Sequence, residues 1–448
     1  MRDLAITLIV VASLPMILSR ANLGILMYCW ISYMNPHRLS WGFAYNMPFA
    51  AMISGTTLLA MLFSKERKGI PLKPITIVWF LWILWMSVTT QFAIEPESAQ
   101  WEWARSMKIQ FMTMITIMLM QSREKIIALI WMLVISIGYY GVKGGMFAIA
   151  TGGAYRVWGP PQTFFSGTNP LGLTLLMILP LMLFLFIHSE RKVIRYALLA
   201  SMLFTSVAVL STYSRGAFLA AGSVAAYLVL HSRHKFKLAP ILLVLGVGLL
   251  AFMPEQYTER IQSIQNFDQE ESAMGRIRAW QVAYGVAADN PLVGGGFQMM
   301  SAELFERYQP GHKPHDMHSI YFEALGEQGF IGLALFLALM FMAQGEGSRI
   351  KRLTKGNPDL SWAYDLATAV KTSLVAYATG GAFLGLAYFD LYYHLIAVLL
   401  LIKIVVDEQL ATIPSPTSRA EVSKRTARQQ PVAPSAPPRP QVARVAKT

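Results

Sequence analysis

Charge is scarce in this chain. Asp, Glu, Lys and Arg together make up 14% of its 448 residues, against about a quarter in a soluble globular protein. With 54% hydrophobic residues and a mean hydropathy of +0.44, that shortage excludes an ordinary soluble domain and indicates membrane. Negative charge is the scarcer kind: 25 acids stand against 38 bases, a formal net charge of +13. There is one cysteine, Cys29, inside an apolar run. It excludes an intrachain disulfide and any CxxC metal or redox motif. No GxxxxGK[ST], HExxH or GxSxG occurs, nor a GxGxxG after a strand. A nucleotide-driven pump or a protease would be expected to carry one of these.

Apolar sequence in long runs is what the chain has most of. A spanning helix needs about 20 mostly apolar residues. Such runs lie near 4–18, 22–34, 48–64, 74–93, 108–120, 126–149, 169–188, 196–212, 217–231, 238–253, 320–343, 364–387 and 391–406. The expected fold class is an all-α multi-spanning integral membrane protein of about 12–13 transmembrane helices with one long periplasmic loop. The first two runs, parted by Ser19-Arg20-Ala21, read as two spans or as one span and a re-entrant piece. The run Leu4–Leu18 is followed by no clear small-residue cleavage site and reads as a retained membrane segment.

Orientation follows from the bases. Clusters at Lys65–Lys73, Arg123–Lys125, Arg191–Arg195, Arg233–Lys237 and Arg349–Lys355 fall on one side when the helices alternate, and that side is assigned to the cytoplasm. Positive charge so distributed argues against nucleic acid as partner. The opposite side carries the long loop 254–319, with nine acids against five bases. Trp41, Trp101, Trp103 and Trp158 also fall on that side, where interfacial aromatics sit at headgroup level. The expected organisation is an N-terminal transmembrane bundle at 1–253, a periplasmic catalytic loop at 254–319, C-terminal transmembrane helices at 320–406 and a disordered, basic, Pro-rich cytoplasmic tail at 407–448. From Pro414 the tail has seven Lys/Arg and one Glu and no apolar periodicity. It cannot bury a core, and it suits anionic inner-leaflet lipids or a specific partner.

Three groups of residues could carry chemistry. Arg215, in Tyr213-Ser214-Arg215-Gly216-Ala217, sits at the outward surface, where positive-inside statistics disfavour it. It reads as an anion ligand facing the bundle, or as an arginine snorkelling to the interface. Arg276 and Arg278 lie on the stretch Ala273–Ala288, whose apolar residues have helical spacing and whose polar face is expected at the bundle mouth. A solvated basic pair is the alternative. Arginine suits phosphate because its planar fork makes paired, charge-assisted hydrogen bonds. Three arginines at one mouth could neutralise a pyrophosphate without a metal. His312, His315 and His318 could form a zinc cluster, but Pro314 interrupts any helix there and Asp316 is the only acid close by. A single histidine as general base is favoured, with His318 first because it precedes a membrane helix that can fix its geometry, and His315 second. A helix-capping histidine is the competing reading. The acidic run Asp268-Gln269-Glu270-Glu271 reads as solvated charge. Asp390 and His394, at the outward end of the last hairpin, are secondary candidates to support the base. Inside the spans the ionisable residue that stands out is Lys371, close enough to a helix end to snorkel.

At these residues the chain resembles the O-antigen ligase and polymerase superfamily. The matching pieces are Ser214-Arg215-Gly216-Ala217, the run from Gly275-Arg276-Ile277-Arg278-Ala279-Trp280 to Asn290-Pro291-Leu292-Val293-Gly294, and His318-Ser319 followed by Gly329-Phe330-Ile331-Gly332. Upstream, Asn35-Pro36-His37-Arg38-Leu39-Ser40-Trp41-Gly42 and Lys143-Gly144-Gly145-Met146-Phe147 resemble the putative O-glycosylation ligases associated with exosortase A. So do Thr151-Gly152-Gly153 and Arg156-Val157-Trp158-Gly159-Pro160. The resemblance covers most of the chain up to about residue 405. At Gly167-Thr168-Asn169-Pro170 the chain lacks the acidic residue and paired asparagines expected there, so Asn169 is carried as a secondary candidate.

The resemblance implies a multi-pass glycosyltransferase of the bacterial inner membrane. It would pass a glycan from an undecaprenyl-pyrophosphate carrier to an acceptor hydroxyl, on a protein or a glycolipid, at the periplasmic face. No cofactor or metal is called for, and the displacement would be inverting. The carried-over roles are Arg215 and Arg276 on the pyrophosphate and His318 as base. A polymerase of the same superfamily needs the same donor site. A flippase or transporter predicts ionisable residues near the bilayer midplane or broken helices in matching halves.

Overall fold

The computed structural model describes residues 1–63, 69–231 and 271–412, with isolated positions between 239 and 248. The basic clusters at 64–68 and 232–238, most of the run at 238–253, the loop from 254 to 270 with Asp268 and Glu270, and the tail after 412 lie outside the described residues, as does the side chain of Glu271. The chain is all-α: among the described residues the one extended pairing is a bridge between Gly159 and Gly167. The helices are α1 (Arg2–Ser19), α2 (Ala21–Cys29), α3 (Phe49–Phe63), α4 (Pro74–Thr90), α5 (Pro96–Leu119), α6 (Arg123–Ala150), α7 (Thr168–His188), α8 (Lys192–Ser211), α9 (Arg215–His231), α10 (Glu271–Asp289), α11 (Ala302–Tyr308), α12 (Ile320–Thr354), α13 (Ser361–Gly380) and α14 (Asp390–Thr412). Residues Met1–Val406 form one compact unit.

Five of these, α1, α6, α7, α8 and α12, are long and apolar enough to cross a membrane, and α3, α4 and Arg215–Leu230 are shorter apolar helices. Large apolar side chains such as Leu84, Ile187 and Phe341 point outward, as a lipid-facing surface requires. The protein is a multi-pass membrane protein.

Several helix bounds differ from the sequence expectation. The first two runs are separate helices, because Arg20 takes an extended backbone (φ −143°, ψ 91°) between them. The short run at 108–120 is the second half of α5, which begins at Pro96 in the polar segment before it. Proline suits a first helical turn, and the i,i+3 pair Glu102–Arg105 supports the polar half. The run at 364–387 is not one helix: α13 ends at Gly380, and the chain continues through a tight turn at Gly381–Phe383. The connector after it stays buried at Leu384, Leu386 and Phe389. Tyr377 holds it by donating its hydroxyl to the Leu386 carbonyl at 2.8 Å.

Hydrocarbon gives helices no hydrophobic reason to associate, so small residues and polar contacts set the packing. On α6, Gly145 lies against the Phe204 backbone of α8 and Gly141 against Thr205; a Cβ at either would collide. The core lies around α14, where Leu391–Ile402 are buried on every side. Trp82 of α4 donates its indole N–H to the Tyr393 hydroxyl at 2.9 Å, and Trp79 donates to Gln110 Oε1 at 2.7 Å. These aromatics therefore enter the core with their polar atoms satisfied.

Candidate active site

The connectors 151–167, 212–214 and 381–389 gather at one end of the bundle with the described part of the 254–319 loop. The Tyr213 hydroxyl donates to the Gly153 carbonyl at 2.6 Å, and Phe164 meets Phe389 with ring centroids 5.9 Å apart.

An interlock fixes the loop there. Helix α12 breaks at Gly329 (φ 70°, ψ −174°), a conformation favoured by glycine. A Cβ at Gly329 would also run into the Leu292 carbonyl. The break frees carbonyls of the first part of α12, and the glycine run after Asn290-Pro291 occupies them. Gly295 N–H donates to the Gly326 carbonyl at 2.8 Å, Gly296 N–H to Glu327 at 2.9 Å, and Phe330 N–H returns to Pro291 at 2.9 Å. Buried backbone groups must be paired, and here two distant motifs pair each other.

Helix α10 is anchored by Ala279, Val282, Ala283 and Val286, which pack against Met299, Leu304, Phe305 and Met317. Trp280 stacks on Phe322 (centroids 4.9 Å, 5° between planes) and donates its indole N–H to the Met317 carbonyl at 2.7 Å. That bond holds the residue before His318, whose backbone is left-handed (φ 44°). His318 Nδ1 lies 3.4 Å from Asp316 Oδ2. A proton on Nδ1, the nitrogen on the side of the Asp316 carboxylate, leaves Nε2 as the base position. Burial pushes the His318 pKa below its ordinary value; the charges of Arg276 and His315 act the same way, and Asp316 opposes them. The imidazole therefore stays neutral, as a base must, below its usual range. His315 lies over Gly275, where a Cβ would be 2.8 Å from its ring. His312 is exposed.

The arginines meet in one cavity. Arg215 and Arg276 line it together with Asn169, Tyr213 and Ser214; it holds about 70 Å³. It adjoins a lobe of about 200 Å³ walled by Leu219, Ile277, Trp280 and Phe383. Ser214 caps α9 by accepting the Ala217 N–H at 3.1 Å. Arg215 and Asn169 thus stand in the first turns of α9 and α7. Helix N-termini carry partial positive charge and favour anions. Two N-termini and two arginines make a polar end, and the lobe supplies an apolar one.

The structure brings Arg215, Arg276 and Asn169 together and puts His318 within reach of the Arg276 charge. Arg278, two positions round the helix, is not among the residues lining this cavity. Asp390 is buried beside Tyr28, Cys29 and Tyr33 of the 21–34 segment. His394 bonds the Tyr33 hydroxyl at 2.9 Å and the Asp390 carbonyl at 3.1 Å. The carboxylate beside His318 is therefore Asp316, and the support expected from Asp390 and His394 goes to the 21–34 segment instead. Among the described residues, no group of three or more His, Cys, Asp or Glu is placed to hold a metal ion.

Lys371 proves not to be the only ionisable group inside the bundle. Glu327 and Lys403 are buried as well, and Glu323 is half-buried. Glu323 Oε2 accepts the Ala387 N–H at 2.8 Å, which fixes the connector after α13. Glu327 accepts from the Tyr388 hydroxyl at 2.7 Å and from Gln298 N–H at 2.8 Å. The signal was in the sequence: two acids at i and i+4 inside an apolar run. Lys371 itself donates to Ser348 Oγ at 2.6 Å.

Fold and site together define an all-α, multi-pass membrane protein with a two-arginine cavity and a histidine at one end of its bundle. Residues 200–337, which contain Arg215, Arg276, His318 and the Gly329 break, match the O-antigen ligase family. Residues 1–190 match a family of unknown function (DUF5935). No curated protein matches the chain. The family supports a membrane glycosyl-transfer function of the ligase or polymerase type.

Proposed function

We propose that the protein transfers a glycan from an undecaprenyl-pyrophosphate carrier to an acceptor hydroxyl on a protein or glycolipid. The site faces the periplasm across the bacterial inner membrane, and 254–319 forms the catalytic loop. The observation that carries this reading is the joined cavity. Arg215, Arg276 and the N-termini of α7 and α9 suit a pyrophosphate, and the adjoining apolar lobe suits the first part of its lipid.

The chemistry is an inverting displacement. The acceptor oxygen bonds to the anomeric carbon while the bond from that carbon to the pyrophosphate oxygen breaks. Nε2 of His318 takes the hydroxyl proton. The leaving pyrophosphate keeps the electron pair, and the arginines neutralise the charge that develops, which is where preorganised electrostatics contribute most. Arg278 is proposed to assist donor binding from the same helix. His315 is a secondary candidate for a role around the base. Transfer is expected to survive EDTA, because the arginines take the place of a cation.

The test uses purified full-length protein, lipid-linked oligosaccharide and candidate acceptors, with products read by mass. One glycan added per acceptor supports the ligase reading; a ladder of joined units assigns a polymerase. Arg276→Lys keeps charge but loses the paired fork, so donor binding and turnover should both fall. Full activity in a folded Arg276→Lys protein would overturn the pyrophosphate assignment.

A further inference from the structure

A second recess opens at the same end of the bundle. It is lined by Glu97, Ser98, Trp101, Glu102, Arg105 and Gln298 and holds about 480 Å³. None of these residues lines the arginine cavity. It forms where the glycine loop docks on the segment before α5. Ile94 N–H donates to the Gly295 carbonyl at 2.9 Å, and Gly296 lies against Ala93 so closely that a Cβ would collide.

The walls are chemically distinctive. Trp101 presents an indole that is 66% exposed. The Arg105 guanidinium is held over the Phe164 ring at 3.7 Å and lies 3.4 Å from Glu102 Oε2. Glu102 is buried. Gln298 takes a left-handed backbone (φ 54°), and Glu327 grips its N–H at 2.8 Å. A non-glycine residue in that conformation is held there by its surroundings. Two carboxylates against one guanidinium leave the recess with net negative charge, which repels phosphate. An aromatic face beside carboxylates, an amide and a hydroxyl offers stacking and many hydrogen bonds to a neutral polyol. Trp41, 95% exposed, has the placement of a headgroup anchor; Trp101 is a wall between carboxylates that would repel anionic headgroups.

We infer that this recess is a saccharide subsite that holds a pyranose ring against Trp101, with its hydroxyls bonded to Glu97, Glu102 and Gln298. The inference rests on the glycan-transfer reading and adds where a sugar lies. Residues lead from the recess toward the base. Glu102 is close enough to Glu323 for their charges to interact. A side chain at Gly385 would touch both Glu323 Oε2 (3.6 Å) and Asp316 Oδ2 (3.7 Å), and Asp316 neighbours His318. A sugar bound at Trp101 therefore belongs either to the donor's glycan or to a glycan acceptor approaching the same histidine.

The probe is the oligosaccharide pool released by mild acid from the producing cells' lipid-linked fraction. Its binding to detergent-purified full-length protein is followed by saturation-transfer NMR, for wild type, Trp101→Ala, Trp101→Phe and Gln298→Ala, with melting temperatures on the same samples. The expected result is binding weakened at least tenfold in Trp101→Ala and largely restored in Trp101→Phe, at unchanged melting temperature. Intact lipid-linked donor and acceptor are then titrated separately. A loss confined to donor binding assigns the ring to the donor's glycan, and a raised acceptor KM alone assigns it to the acceptor. Equal saccharide binding by wild type and Trp101→Ala, or none by wild type, overturns the subsite. Neither result touches the pyrophosphate reading, which stands or falls with Arg276→Lys.

Discussion

Trp280 donates its indole N–H to the carbonyl of Met317, 37 positions later, at 2.7 Å, while its ring lies flat on Phe322. One side chain of α10 thus sets both the loop that presents His318 and the first turn of α12. The Arg276 helix and the histidine are coupled mechanically as well as electrostatically.

Trp280→Phe keeps the stack and removes the bond. A hydrogen bond of this kind is worth about 1 kcal/mol net, so turnover at saturating donor should fall roughly fivefold in a folded protein. Initial rates at saturating donor, with a melting curve, check this. An unchanged rate would mean that Met317 is held without the indole.

His318→Ala should cut turnover by roughly 10²–10⁴-fold, the usual span for a lost general base, while donor binding is largely retained. An ordinary histidine titrates near pH 6.5. The depressed His318 pKa places the acid limb of the wild-type rate lower than about that value, with activity falling as pH drops through it. Asp316 raises the pKa and His315 lowers it. Asp316→Asn should therefore move the limb further down, and His315→Gln should move it up. Shifts of the same sign in both variants would remove His318 as the titrating base.

Gly329→Ala forces a Cβ onto the Leu292 carbonyl at positive φ. The backbone term alone costs about 1–3 kcal/mol, and the clash adds to it. The melting temperature and transfer activity should fall together. A methyl group added at Gly345, in the same helix, would meet nothing within 4 Å. Gly345→Ala should be neutral or stabilising by up to about 1 kcal/mol. Equal melting temperatures for the two variants would show that the interlock is not structural.

A reporter fused after Pro310 is expected to be active only in its periplasmic form, on the positive-inside assignment of the basic clusters to the cytoplasm. A fusion active only in the cytoplasm would reverse the topology and place the histidine on the wrong face for the proposed donor.

Much is legible in the sequence because it depends on local composition. Apolar runs about as long as a bilayer needs favour helices, so α6, α7 and α8 lie close to where the hydropathy puts them. Arg215, Arg276 and His318 stand out because charge at a membrane mouth is costly and rare. α5 and α13 depart from their apolar runs because their ends are set by pairing and close packing, which hydropathy does not measure. The acids of α12 escape notice because their run is apolar enough to hide them.

The sequence by itself determined the all-α class and offered the candidates for the site: three arginines, the histidines and the glycine runs. Only the tertiary structure decided that residues from α7, α9 and α10 share one cavity, that Asp316 stands beside the histidine in place of Asp390, and that the run at Gly294–Gly296 fills the break at Gly329. The physical reason is range. Hydropathy and helix spacing act over a few residues, whereas pairing a freed carbonyl or a separated charge depends on whichever distant segment packing brings beside it.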